Sequence, residues 1–337
     1  MFIIIVCFIL ILLLIVFFNG RGVPCIMYHN VSKDKGINSE DFGKQLDILK
    51  NFNTFKFEEF SKINNKLPKN SALVTFDDGY KDNYTNAFPL LKKYGIKATI
   101  FLNTAYIEND PFYMTWDQVK EMYDSGLVDF QLHTHSHFTV IKRLEIQGFF
   151  KTEDMENREL YREMKNIFGS DNLREGYPIF KKRGETAIRG YKVTNNFMSE
   201  YNKLLDKYKD LEVNAKEKKL KEEIETNLSQ EIKEYTYEEY KKRVENEILL
   251  NKKIIEDHLN KKCDYFANPW GHRSKELIDI LHELGIKGMI TTKKGANYLK
   301  PNIYKIRRYE TKTMKQFKKL LFINKNYLMG KIYEIVS

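Results

Sequence analysis

The sequence predicts an α/β fold, a parallel sheet with helices packed outside it, open or closed. Two observations predict it. Short apolar runs alternate with helical patterns from residue 23 to residue 137, and the alternation resumes after residue 263. A third observation points to chemistry, because several of the apolar runs stop at aspartate or histidine.

The first element is FIIIVCFILILLLIVFF, Phe2 to Phe18, apolar throughout and close to the length that crosses a bilayer. No Lys or Arg precedes it, and FFNGRG is a poor cleavage site. An uncleaved single-pass anchor in contact with membrane lipid is therefore expected over residues 1–20. VPCIMYHNV (23–31) follows as a buried strand ending in Tyr-His-Asn, and Phe42 to Phe52 reads as an amphipathic helix. SALVTFDDG (71–79) is a buried strand closed by a turn. Tyr84 to Tyr94 is helical with a stop at Gly95, and KATIFL (97–102) is the next strand. Thr115 and Gln118 form a capping box for a helix that stops at Gly126. LVDFQLHTHSH (127–137) is a strand running into three histidines.

Residues 146–259 differ in composition. They are rich in Glu and Lys, as solvated helix faces are, and read as an insertion into the α/β domain and not as a separate module. Within them EGYPIFKKRGETAIRGYKV (175–193) is either a loop over a site or a surface turn. CDYFANPWG (263–271), SKELIDILHELG (274–285) and IKGMITT (286–292) then restore strand, helix, strand. The expected organisation is thus 1–20, an α/β domain over 21–145 and 260–312, the insertion 146–259 and a basic tail 313–337.

Bulk properties narrow the function. With 42% hydrophobic and 30% charged residues, the 337-residue chain is globular and not disordered overall. Its net charge of +10 is spread beside Glu and forms no basic block interleaved with aromatics, so nucleic acid is not an expected partner. Cys7, Cys25 and Cys263 make neither a CxxC pair nor a disulfide framework.

Asp77 and Asp78 close a strand where a strand has no use for either, and two adjacent carboxylates raise each other's pKa unless a cation intervenes. His133 and His137 stand four apart, with His135 between them, so more than one ligand pair is available. Ligands of α/β folds gather at strand C-termini. One aspartate and two histidines leave a fourth position for water, the arrangement of a catalytic metal site. Such a metal acidifies its water and polarises a carbonyl, and the other aspartate takes the proton. His29 is the candidate general acid by position; His258, His272 and His282 fit less well.

Taken in order, IMYHNV, VTFDDGY, KATIFL, MTWDQVKEM, LHTHSH, FANPWG and ITTKKGAN resemble polysaccharide deacetylases of the NodB-homology type, carbohydrate esterase family 4. The first motif is similar to the branch that de-N-acetylates poly-β-1,6-N-acetylglucosamine. The resemblance covers residues 23–145 and 260–310. It implies a distorted (β/α) barrel of about seven strands, carrying here the long helical insertion and the N-terminal membrane helix. It also implies zinc or a similar divalent metal and an N-acetylated glycan substrate. By resemblance, Asp77 is the catalytic base and Asp78, His133 and His137 are the metal ligands. Pro269 and Trp270 wall the acetyl pocket, and His29 is the acid. The family's arginine before the proline–aromatic step is replaced by Asn268, which leaves Arg273, Arg183 or Arg189 as substitutes. Such an activity calls for an extracytoplasmic catalytic domain, although Arg21, Lys33 and Lys35 after the apolar run favour the opposite orientation. A peptidoglycan or lipid-linked sugar deacetylase is an alternative of the same chemistry. An inactive metal-binding scaffold for a protein partner is an alternative of another class.

Overall fold

The computed structural model describes residues 2–169, 173–271 and 274–336. The chain divides into two compact units, Met1–Ser136 with Glu245–Ser337, and His137–Val244.

The first unit is built on a parallel sheet. Its strands are β1 (Cys25–Tyr28), β2 (Ser71–Asp78), β3 (Ala98–Leu102), β4 (Val128–Leu132), β5 (Tyr265–Ala267), β6 (Gly288–Thr291), β7 (Ile306–Arg307) and β8 (Tyr309–Glu310). Their order is β7-β6-β5-β4-β3-β2-β1-β8. The two ends of that path are consecutive in sequence and separated only by Arg308. Ile306 pairs with Ile290 on one side, and Tyr309 pairs with Ile26 on the other. Residues 306–310 therefore close the sheet into a nearly complete barrel. Strands β1 to β6 are buried along their whole length, as β2 is from Ser71 to Asp78, which is why they read as continuous apolar runs.

Local signals fix the helices outside. Thr115 accepts from the Gln118 N–H and Gln118 accepts from the Thr115 N–H, so the expected capping box starts the helix Trp116–Asp124. Ser274 caps Lys275–Glu283 in the same way. The segment before Gly95 is less regular than its periodicity predicts: a wide turn over Asn83–Ala87 precedes the α-helix Phe88–Tyr94.

The apolar leader requires a correction. It forms a helix over Phe2–Phe18, 17 residues, whose rise of about 1.5 Å per residue gives roughly 26 Å against a hydrocarbon core of about 30 Å. Among the described residues, no helix is long and apolar enough to cross a membrane. The single-pass anchor, the lipid contact and the membrane localisation expected from residues 1–20 are not supported. The helix has the same bounds as the apolar run, and Asn19 and Gly20 turn the chain after it, so the run gains no length toward the about 20 residues of a span.

The second unit has its own antiparallel sheet, in the order Ile232–Glu234, Tyr191–Val193, Thr139–Phe149, Pro178–Gly184. Its core holds Phe150, Met164, Phe168, Tyr177, Phe197 and Tyr201. In the helix Asn195–Lys207 the buried residues Phe197, Tyr201 and Leu205 recur every four positions between charges. A charged composition concealed that stripe. The stretch 175–193 supplies two of the sheet's strands and is neither a free loop nor a surface turn. This unit shares residues 146–244 with the insertion expected at 146–259.

Candidate metal centre

The C-terminal edge of the barrel collects the chemistry, as parallel sheets do. Side chains alternate along a strand, so Asp77 and Asp78 should face opposite ways. They do not, because Asp78 takes a left-handed backbone, φ 74°, and re-aims its carboxylate. The turn tightens further at Gly79, φ 84°, where a Cβ would come within 2.5 Å of Leu102 Cδ2. Only glycine fits there.

Asp78, His133 and His137 each offer a ligand atom, and these atoms lie within 4.8 Å of one another. Asp78 Oδ1 and His133 Nε2 are 3.5 Å apart. Two ligands on one tetrahedral zinc, each about 2.0–2.1 Å from it, stand about 3.4 Å apart. The tautomer is suitable as well. His133 Nδ1 is 2.8 Å from the Ala267 carbonyl, to which it donates, so Nε2 carries the lone pair that a metal needs. The donor set fits a divalent cation. His135 turns away to Thr104 Oγ1, at 2.9 Å, and stands outside that group.

Asp77 stands on the flank of this triad. Arg308, fully buried, donates to both its oxygens at 2.6 Å, a bidentate pair. Burial pushes the Asp77 carboxyl up, but Arg308, His133 and His29 pull it down harder, to about 2. It is ionised at neutral pH. The guanidinium beside Asp77 is thus Arg308, on the closing strand. Arg183 and Arg189 belong to the second unit, and His272 and Arg273 lie outside the described residues.

His29, just past β1, places Nε2 3.9 Å from Asp77 Oδ2 and Nδ1 3.7 Å from Glu310 Oε1. Burial draws its pKa down, while Glu310, Asp77 and Asp78 together raise it to about 9. It is a cation at neutral pH. Arg308, in the break between β7 and β8, and Glu310, on β8, are two residues apart, and one reaches Asp77 while the other reaches His29. Sequence reading missed both. Pro269 is buried and Trp270 is 42% exposed, with a left-handed φ of 60°. His258 stacks on Trp116, and His282 on Tyr304.

Residues 64–167 match the family model described as polysaccharide deacetylase. Bacillus subtilis YxkH, named for the same activity, is 32% identical over 49% of this chain and 59% of its own length. The poly-β-1,6-N-acetyl-D-glucosamine N-deacetylase of Staphylococcus epidermidis is 40% identical over 31% of this chain and 38% of its own. The chain thus spans between about two fifths and three fifths of these relatives. In fold it is similar to the BpsB deacetylase domain of Bordetella bronchiseptica, with a TM-score of 0.57 at 18% identity over 87% of this chain and 97% of that one.

Proposed function

We propose, for a chain whose residues 64–167 match the polysaccharide deacetylase model, that its barrel removes N-acetyl groups from the amino sugars of a glycan of the poly-β-1,6-N-acetylglucosamine type. One observation carries this reading. A triad of metal-sized spacing has an ionised carboxylate, clamped by arginine, on its flank, with a cationic imidazole facing that carboxylate. The name and identity of the staphylococcal relative support the substrate class.

Asp78, His133 and His137 would hold the divalent metal, zinc or a similar ion, which supplies Lewis acidity toward the amide carbonyl and acidifies water. Asp77 accepts the proton lost by the attacking water. Arg308 keeps that carboxylate ionised and in place. His29 hands its proton to the departing amine. Pro269 and Trp270 wall the acetyl methyl, and the Trp270 backbone N–H donates to the amide oxygen as charge gathers there.

The test is acetate release from β-1,6-linked N-acetylglucosamine oligomers, peptidoglycan fragments and lipid-linked N-acetyl sugars, with metal stripped and restored. Activity should vanish on chelation, return with a divalent ion, and be highest on the β-1,6 oligomers. Preference for either of the other two substrates reassigns the glycan. Absence of acetate from all three, with metal bound, leaves an inactive scaffold. His133→Ala should lose metal and activity together. Its metal content, measured by atomic absorption beside turnover, decides: a variant that keeps its ion removes His133 from the ligand set.

Glu310 gives a pH prediction. His29 must be protonated to act, so the rate falls as pH rises through its raised pKa, near 9. Glu310→Gln removes one of the charges that raise it, and the alkaline limb of kcat should move down by about one pH unit. A limb that stays in place would exclude Glu310 from the proton path.

A further inference from the structure

The loop 133–137 presents two ligands from an unfavourable backbone. Thr134 has φ 63° and His137 φ 52°. Left-handed φ is rare for any residue other than glycine and most strained for a β-branched one. Such a conformation persists only where its surroundings over-determine it. The surroundings are specific. Three of the loop's backbone N–H groups are taken by one helix, Tyr237–Leu259, more than a hundred residues away in sequence.

Asn251 is fully buried on that helix. Its Oδ1 accepts the His133 N–H at 3.0 Å, and its Nδ2 donates to the Leu102 carbonyl at 2.9 Å and to Thr104 Oγ1 at 3.0 Å. One amide side chain thus ties the end of β3 to the end of β4. One helical turn earlier, Glu247 accepts the Ser136 N–H at 2.8 Å and the Ser136 hydroxyl at 2.5 Å, and its own carbonyl accepts the His135 N–H at 3.2 Å. Residues four apart lie on one helix face. That face holds His133, His135 and Ser136 of the loop, while neither side chain belongs to the triad.

We infer that Asn251 and Glu247 are positioning residues that set the metal affinity of the site by holding the loop 133–137 in its ligating conformation. The inference rests on the reading of Asp78, His133 and His137 as metal ligands. Without the latch the loop can relax toward right-handed backbone, and His133 and His137 no longer converge with Asp78. Partners that orient metal ligands typically account for about 10–100-fold in affinity. A helix merely fastened to the barrel would affect folding stability alone.

The experiment is titration of the metal-stripped full chain with Zn²⁺, and with Co²⁺, whose visible absorption reports coordination. Thermal unfolding of the metal-free proteins runs alongside. Asn251→Ala and Glu247→Ala should each weaken Zn²⁺ binding about 10–100-fold. Glu247→Gln, which keeps an acceptor for Ser136, should lose less than Glu247→Ala. Wild-type Kd in the alanine variants, whatever their metal-free Tm, overturns the inference. Should Asn251→Ala not fold, Ser136→Ala removes only the hydroxyl that Glu247 accepts; it should bind several-fold more weakly, and an unchanged Kd again overturns the latch. A wild-type chain that binds neither ion overturns the metal reading itself, and the latch with it.

Discussion

Asp77→Asn is expected to lower acetate release by about 10²–10⁴-fold, the usual contribution of a positioned general base, while the metal stays bound. The ligand atoms belong to Asp78, His133 and His137, so the triad keeps its donors. The amide that replaces the carboxylate cannot accept a proton at neutral pH. It also presents an N–H to one arm of Arg308, where the wild type presents two acceptors, so some stability is lost as well. Turnover and metal content should therefore be measured on protein shown to be folded by circular dichroism. A folded, metal-loaded Asp77→Asn protein within tenfold of wild-type turnover would falsify the assignment of the base.

Arg308→Met should produce the largest loss of stability, about 3–5 kcal/mol, because it strands a buried carboxylate. The pH dependence identifies the cause. In the wild type the Asp77 pKa is held near 2, below its unfolded value of about 3.9. That depression stabilises the fold above the unfolded pKa, and the contribution is lost as pH falls through the folded one. With Arg308 gone, burial dominates and lifts the folded pKa above the unfolded value. The ionised group then costs stability at neutral pH, and the cost fades as acid protonates it. Urea denaturation of the metal-free proteins should show a gap between wild type and variant that is wide at pH 7 and narrower at pH 4. An equal gap at both pH values would mean that Arg308 acts through packing alone.

What the sequence made legible was local. VTFDDGY, HTHSH and MYHNV each sit where an apolar strand stops, and strand C-termini of a parallel sheet converge, so spacing alone brought Asp78, His133 and His29 toward one edge. The Thr115 capping box was readable for the same reason, since both partners lie within one turn. Arg308 and Glu310 were not readable. They reach Asp77 and His29 across more than two hundred residues, and only closure of the barrel brings them there. Asn251 and Glu247 were hidden differently, within a Lys/Glu-rich helix whose composition indicates solvent. One such face is solvated, but another carries Asn251 into the barrel wall. The leader misled through its apolarity: its 17 apolar residues are all helical, yet they fall short of the about 20 that a span needs.

The interrupted strand at 306–310 has a consequence for how the site can vary. It holds Arg308 against Asp77 and Glu310 against His29, two residues apart on a single backbone. A slip of one residue in its register turns every side chain to the opposite face, so Arg308 would leave Asp77 and Glu310 would leave His29 together. The two ends of the proposed proton path are therefore not independent parameters. Length changes in the loop 292–305 are confined to those that preserve the Ile306–Ile290 and Tyr309–Ile26 pairings.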